Sequence, residues 1–532
     1  MSYKVCIPVA GTGSRLGKLT TYINKSLVSV ANRPALSHIL DAFPNDCQIV
    51  MPIGHKGDQV QEFIQLAYPE RSFHFVKVTP YEGAGSGLGH SLLCCEEYLD
   101  EPFVFCSCDT LVDQKIPGPE TNWMGFSAGD GSTSEYRSAR VADCNVVEIL
   151  DKGFAGDGLL AYIGLAGILD FKIFWELMHA GKKKAVEMGE SYALQHMVKS
   201  FAIKSYKFTW HDCGNPDALE KTRRARRRKG EPNILEKANE AIWFVNGRVI
   251  KFSDDRQFIN KRVQRAAGLA EYVPKILDHT EHMYMYQEIN GQVLSSVLDR
   301  SIFRRLLARS LSFWTEKALS SEEQVAFEHT CLKFYKNKTE ERIGKFYRDL
   351  KRDDGCEAIN GIPVPTLKEI FGRVDWTWLS KGKPGRFHGD FHSENILWSA
   401  EDQKFTFLDW RQDFGGDLVV GDIYYDLAKL MHGLIISHGI IAQNLFEIDW
   451  QEGQIRFDFH RKQSLIECEN EYLGWLEDNG LDTSKVITLT ALIFLNIAAL
   501  HHYPYCLLLY ALGKSMLHEI IFGSPVRIGE LS

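Results

Sequence analysis

A chain of 532 residues is long enough for three or four domain-sized units, or two large ones. With 45% hydrophobic and 24% charged residues and no low-complexity tract it has an ordinary globular composition, and a net charge of −8 gives no ground for a general nucleic-acid or anionic-membrane role. Its 12 cysteines are scattered, with no CxxC, and the pairs Cys94-Cys95 and Cys106-Ser107-Cys108 are poorly spaced for a tetrahedral metal clamp.

Met1-Ser2-Tyr3-Lys4 runs directly into an apolar stretch at 5–9 that predicts a strand. No signal peptide is read, so a cytoplasmic chain with reduced thiols is expected. The strand opens into Ala10-Gly11-Thr12-Gly13-Ser14-Arg15-Leu16, a helix-like stretch, and Asn24-Lys25-Ser26-Leu27. Such a turn lets backbone N–H groups approach phosphates closely. It is not a Walker loop, and Leu16 stands where a dinucleotide fingerprint would carry a third Gly or Ala. Residues 49–53, 73–78 and 103–106 predict further strands, and a second Gly-rich loop, Glu82-Gly83-Ala84-Gly85-Ser86-Gly87-Leu88-Gly89, opens a helix. The last of these strands ends at Ser107-Cys108-Asp109-Thr110. The alternation predicts an α/β, Rossmann-like, mostly parallel sheet with ligands at the carboxyl ends of its strands, where Asp109 is placed for a metal.

This order of features resembles nucleotidyltransferases that activate sugar 1-phosphates, and bacterial phosphocholine cytidylyltransferases. Their pattern is a first strand, G-x-G-x-R, x-K-x-L, a Gly-containing base-binding loop, a strand ending in Asp, and a later W-x-D-x-G. The last is matched by Trp210-His211-Asp212-Cys213-Gly214. The resemblance implies that Gly11, Gly13 and Arg15 cradle a nucleoside triphosphate and that Lys25 stabilises charge on its α-phosphate. Gly85 and Gly87 would contact the base, and Asp109 and Asp212 would bind Mg²⁺. Lys152 would contact the acceptor phosphate, and Gly164, in the 163–168 strand, would floor the acceptor pocket. In that reaction the acceptor phosphate attacks the α-phosphorus and pyrophosphate leaves, so charge stabilisation does the work without acid–base chemistry. Sugar enzymes usually carry Pro-Lys-Pro-Leu where Asn24-Lys25-Ser26-Leu27 stands, and the Lys-Ser-Leu form is closer to the phosphocholine type, so the acceptor stays open.

The basic run Lys221-Thr222-Arg223-Arg224-Ala225-Arg226-Arg227-Arg228-Lys229 reads as a solvated helix ending at Gly230, with Pro232 blocking its continuation. A β-hairpin follows at 241–252, then a helical stretch at 258–270 and Tyr284-Met285-Tyr286-Gln287-Glu288-Ile289-Asn290-Gly291. Residues 300–378 have a helical pattern. Next come His388-Gly389-Asp390-Phe391-His392-Ser393-Glu394-Asn395, an apolar run at 405–408, and Asp409-Trp410. One carboxylate and one amide on a loop, followed by a second carboxylate after a strand, are what phosphoryl transfer from a nucleotide needs. The apolar stretch 486–500 is too short and too polar-flanked to span a bilayer and reads as a buried helix.

The stretch from His388 to Trp410 resembles the catalytic and metal loops of aminoglycoside phosphotransferases and choline kinases, with H-G-D-x-H-x-x-N followed by D-W. The resemblance implies a bilobal, protein-kinase-like fold. Asp390 would orient or accept the proton of an attacking hydroxyl, and Asn395 and Asp409 would hold Mg²⁺. Lys251 would pair the ATP phosphates and the segment at Glu288 would meet the adenine. The helical stretch 258–270 carries no Glu to pair with Lys251, Glu271 being the nearest and late. Asp426 would satisfy free N–H groups at a helix N-terminus.

Two domains are therefore expected: 1–230 nucleotidyltransferase, and 231–532 kinase-like, with an N-lobe at about 235–295 and a C-lobe at about 296–532. The expected function is bifunctional. A sugar, polyol or amino alcohol such as choline is phosphorylated by ATP, and the phosphate is coupled to a second nucleotide (CTP, UTP or GTP) to give an activated donor for surface polysaccharide or lipid decoration. The alternative is a small-molecule kinase regulated by an inactive, nucleotide-sensing N-terminal domain. Small-molecule substrates are the expected partners, with no membrane and no nucleic acid; the reading allows a homo-oligomer.

Overall fold

The computed structural model describes residues 3–129, 134–154, 156, 158–227 and 237–523. The chain divides into two compact units, Met1–Ile259 with Ile276–Glu288, and Asn260–Lys275 with Ile289–Ser532.

The first unit is built on a nine-stranded sheet. Lys4–Cys6 lies between Gln48–Ile53 and Phe103–Cys106, parallel to both, and Phe73–Lys77 continues the parallel order. These are short, nearly continuous apolar runs, as strands covered on both faces require. Beyond Phe103–Cys106 the sheet is mixed. Leu159–Ile168 runs antiparallel to it, Trp123–Ser127 antiparallel to Leu159–Ile168, and Lys204–Phe208 parallel to Trp123–Ser127. Seven of the nine strands nonetheless point the same way, as a mostly parallel sheet requires, and only Leu159–Ile168 and Asn145–Leu150 run against them. The physical reason is visible where Ser138–Ala142 and Asn145–Leu150 pair antiparallel through Asp143 and Cys144, both at positive φ (49° and 62°). A tight turn returns the chain at once, with no crossover helix.

The same unit contains a four-stranded antiparallel sheet, Glu240–Val245, Arg248–Ser253, Met283–Gln287 and Ile276–His279. It shares a hydrophobic core with the helix Gly57–Ala67. Trp243 is fully buried, meets Phe63 edge-on at 5.4 Å, and donates its indole N–H to Ser29 Oγ at 3.0 Å. Glu62, on that helix, accepts from Thr280 Oγ1 (2.6 Å) and from His282 N and Nδ1 (2.9 and 2.8 Å). Trp243→Ala is expected to cost about 3–5 kcal/mol, since it removes a large buried ring and leaves a cavity. Urea unfolding of the full chain, followed by a probe in the first unit, checks this.

A buried carboxyl gives the first unit a pH-dependent stability. Glu190, 4% exposed, accepts from Tyr162 Oη at 3.0 Å, and burial pushes it up to about 7. Its folded value lies above its unfolded one, so its contribution is full below about 4.5 and is lost as pH rises through 7. Between pH 5 and pH 8, Glu190→Gln should therefore gain about 2–4 kcal/mol relative to the parent. Denaturant midpoints of both proteins at the two pH values test this, and a gap that does not change with pH would contradict it.

The second unit is mainly helical. Its antiparallel pair Ile396–Ser399 and Lys404–Phe407 carries the loops of the second site. The helical pattern read at 300–378 is interrupted by a hairpin, Glu357–Ile359 with Ile362–Val364, turning on Asn360 and Gly361 at φ 47° and 83°. Thr483–Ala498 is the expected buried helix. One helix, Tyr505–Phe522, is long and apolar enough to cross a membrane, and 72% of it is buried inside the protein.

Candidate active sites

In the first unit, Asp109 follows Phe103–Cys106, and the strand Thr110–Val112 pairs antiparallel with Trp210–Asp212, so that Thr110 faces Asp212. That short ladder brings the two carboxylates together. A Cβ on Gly214 would lie 3.0 Å from both Asp109 Oδ2 and Asp212 Oδ1, and 3.7 Å from Arg15 Nη2. Lys25 Nζ is bonded to Asp109 Oδ2, Arg15 Nη2 stands 3.9 Å from the same oxygen, and Ser107 Oγ donates to Oδ1 at 2.5 Å. Burial would raise Asp109, but the Lys25 ammonium and its hydrogen bond win and bring it down to about 2. Asp212 goes the other way, raised by burial and then by the charge of Asp109. Gly214 N and Tyr136 Oη both donate to it at 2.8 Å. Two carboxylates that each bring an oxygen to 3.0 Å from one point beside Gly214, one of them raised by the charge of the other, fit a divalent cation.

The neighbouring backbone explains why these side chains are held. Gly13 sits at φ 68°, and a Cβ there would come within 3.0 Å of Lys25 Cβ and Thr20 Cγ2. Asn24 is fully buried; its amide donates to Val9 O (3.1 Å) and His55 O (2.7 Å), and Oδ1 accepts from Ser26 N at 2.9 Å. It thereby pins the loop that presents Lys25. Gly164 interrupts Leu159–Ile168 as an irregularity at φ 71°, and its carbonyl accepts from Ser107 N at 2.8 Å. Gly11 lies open, with nothing within 4 Å of where a Cβ would be, and Gly85 meets only Pro80 at 3.8 Å. Gly87 also serves packing, because a Cβ there would strike Val186 O at 2.5 Å. The Lys152 ammonium is lowered by desolvation and then by Arg15 and Arg137, with Asp109 and Asp212 acting against them.

The basic run turns inward more than expected. Its helix is Pro216–Arg226 and ends there rather than at Gly230, because Arg227 is already extended. Arg223 Nε donates to Ser29 O at 3.0 Å, Arg224 pairs with Glu220 at 3.2 Å and Arg226 with Asp113 at 2.6 Å. Arg228, Lys229, Gly230 and Pro232 lie outside the described residues. Lys251 occupies the middle of Arg248–Ser253, opposite Ile242 and Tyr284, and is 5% exposed. Glu288 N donates to Gly247 O at 2.9 Å.

In the second unit, Asp390 Oδ1 is bonded to Lys429 Nζ at 2.9 Å. Oδ2 accepts from Asn395 Nδ2 at 3.0 Å and lies 3.5 Å from His392 Nε2. Burial opposes its charge, but Lys429 and His392 hold it well below the ordinary carboxylate range. Asn395 gives its amide N–H to Asp390, which leaves its amide oxygen for a metal. Leu408 N donates to Asn395 O at 2.7 Å, tying the two metal-binding candidates into one turn, and Asp409, at φ 57°, accepts from Arg262 Nη1 at 3.1 Å. An amide oxygen and a carboxylate on adjoining turns fit Mg²⁺ once Arg262 yields its oxygen.

One sequence reading is corrected here. Asp426 does not cap its helix. Asp422 does, accepting from Tyr424 N at 3.0 Å, whereas Asp426 accepts from His388 N and Gly389 N, both at 2.6 Å, and from Trp314 Nε1 at 3.1 Å. One turn into the helix, the carboxylate faces the loop and not the helix's own N–H groups. Burial pushes His388, in the same loop, down to about 3. Lys429 and Tyr136, which hold the two key carboxylates, were missed by sequence reading. Each lies far along the chain from its partner, in a segment without a motif.

The second unit's loops and the first unit's carboxylate pair are two candidate sites on one chain, each able to hold a cation beside charged side chains. Residues 256–461 match the model of the phosphotransferase enzyme family (APH), so the C-terminal region carries a phosphotransferase domain of that family. The N-terminal region matches nucleotidyltransferases. It is 26% identical over 220 residues to the bifunctional protein GlmU of Methanocaldococcus jannaschii, covering 40% of this chain and 51% of that protein. It is 26% identical over 224 residues to the low-salt glycan biosynthesis nucleotidyltransferase Agl11 of Haloferax volcanii, covering 39% and 62%. The chain thus spans between half and two thirds of the length of these curated relatives. The CTP:phosphocholine cytidylyltransferase structure from Streptococcus pneumoniae aligns at a TM-score of 0.36 with 17% identity, over 42% of this chain and 99% of that one.

Proposed function

We propose that the chain is a bifunctional enzyme making a nucleotide-activated donor in two consecutive steps. In the C-terminal domain the hydroxyl oxygen of a small metabolite attacks the γ-phosphorus of ATP, the bond to the β-phosphate breaks, and the hydroxyl proton passes to Asp390. In the N-terminal domain the new phosphate attacks the α-phosphorus of a second nucleoside triphosphate, and pyrophosphate leaves. The observation that carries this reading is the pairing, in one chain, of an ionised Asp390 held by Lys429 with a carboxylate pair flanked by Lys25 and Arg15.

Mg²⁺ bound by Asp109 and Asp212, and by Asn395 and Asp409, would neutralise phosphate charge at both sites. Arg15 and Lys25 then stabilise the charge on the α-phosphate, and Gly11 and Gly13 let the backbone approach it. Lys152 and Gly164 border the acceptor, and Gly85 and Gly87 the base. Lys251 pairs the ATP phosphates and the segment at Glu288 meets the adenine. The acceptor is a sugar, a polyol or an amino alcohol such as choline. The name of the Haloferax relative, a glycan-biosynthesis nucleotidyltransferase, supports a place in surface-glycan assembly.

The test is a matrix of hexose 1-phosphates, phosphocholine, phosphoethanolamine and polyol phosphates against the four nucleoside triphosphates with Mg²⁺, read by pyrophosphate release. One strong pair names the product. A blank matrix with ATP turnover intact would favour an N-terminal domain that senses a nucleotide without transferring it.

A further inference from the structure

Near Asp390 the second unit gathers positive charge from Lys338, Arg342, Arg411 and Lys429, of which Asp390 pairs with Lys429. The helix Lys338–Leu350 presents Lys338 and Arg342, i and i+4, on one face. Among the described residues neither forms an ion pair with an acidic side chain. Lys338 Nζ lies over the Phe334 ring at 4.2 Å, and Arg411 Cζ lies against the same ring at 4.9 Å. Lys338 also lines a cleft with Thr339, Tyr425, Asn496 and Phe334. Tyr425 and Lys429 are i and i+4 on the helix Ile423–Ile435, so one helical turn separates the cleft from the lysine that holds Asp390.

A half-buried ammonium without a counter-ion is costly. Burial, and then the fields of Arg411, Lys429 and Arg342, bring Lys338 down to about 7, with Asp390 acting against them. An anion beside Lys338 and Arg342 would restore its charge. A cation there would be repelled by Lys338 and by the fields of Arg411, Lys429 and Arg342.

We propose that the acceptor phosphorylated at Asp390 carries, besides its hydroxyl, an anionic group, a carboxylate or a phosphate, which is read by Lys338 and Arg342. This rests on the kinase reading of the C-terminal domain and narrows its substrate class, setting aside choline and other cationic alcohols. Lys338 and Arg342 are then specificity residues, while the transfer itself stays with Asp390.

The experiment uses the full chain with Mg²⁺ and ATP, and measures ADP formation over matched acceptors. These are glycerol, choline, glycerate and glycerol phosphate, then glucose, glucosamine, glucuronate and glucose 1-phosphate. The expected result is a kcat/KM at least about tenfold higher for an acidic member than for its neutral and cationic counterparts. The carboxylate and phosphate arms say which anion is read. Lys338→Met should raise the acidic acceptor's KM about tenfold and leave the KM for ATP unchanged. Arg342→Gln, on the same face, serves as the second variant if the first fails to fold. A preference for a neutral or cationic acceptor overturns the inference, as does a change confined to the KM for ATP, which would assign these cations to the nucleotide. If no acceptor of any charge raises ADP formation, the kinase reading fails and the inference falls with it.

Discussion

Asp390→Asn is expected to lower ATP-dependent phosphorylation of the free acceptor by about 10²–10⁴-fold and to leave coupling of the pre-formed phosphate unchanged. The carboxylate is ionised over the whole working range, because Lys429 at 2.9 Å and His392 hold it low. A base so weak cannot remove the hydroxyl proton early. It does not need to: phosphoryl transfer passes through a loose transition state in which the nucleophile's proton becomes acidic late. In the proposed reaction Asp390 would orient the hydroxyl and receive its proton as the new bond forms. An amide keeps the shape and the contact with Asn395 but cannot accept the proton, and it leaves Lys429 buried without its counter-charge. Parallel assays of ADP formation and pyrophosphate release check the separation.

Asp109→Asn is expected to do the reverse, lowering pyrophosphate release by about 10²–10³-fold with phosphorylation intact. Asp109 holds Lys25, faces Asp212 across Gly214, and stands 3.9 Å from Arg15, so one oxygen organises three charged groups. Removing its charge removes half of the candidate metal site and frees Lys25 from the position it holds for the α-phosphate. Asp212, relieved of a like charge, should ionise more easily in the variant. If either substitution stops both reactions, the two-site reading is wrong.

Much of both sites was legible along the chain, because each is carried by short loops whose residues must lie close together. His388 to Asn395 fits within eight residues, and the strand after it delivers Asp409 at a spacing its length dictates. The Gly-rich turn before Arg15 and the strand ending at Asp109 were readable for the same reason. The Asn360-Gly361 hairpin was also readable, as a two-residue turn signal, but it was masked by the helical pattern around it.

Local sequence thus specified the two transfer motifs, their order, and the strands and helices that carry them, since turn chemistry and hydrophobic period act over a few residues. Folding in three dimensions supplied what depends on distant segments. It joined Asp212 to Asp109 through a strand pair about a hundred positions apart in sequence, and Lys429 to Asp390 across the packed helix Ile423–Ile435. It packed the sheet of Trp243 against the helix of Phe63, and it set Lys338 and Arg342 on one helix face with no acidic ion-pair partner among the described residues. Charge balance and burial belong to the neighbours a side chain finds in space, and no periodicity or spacing along the chain reports them.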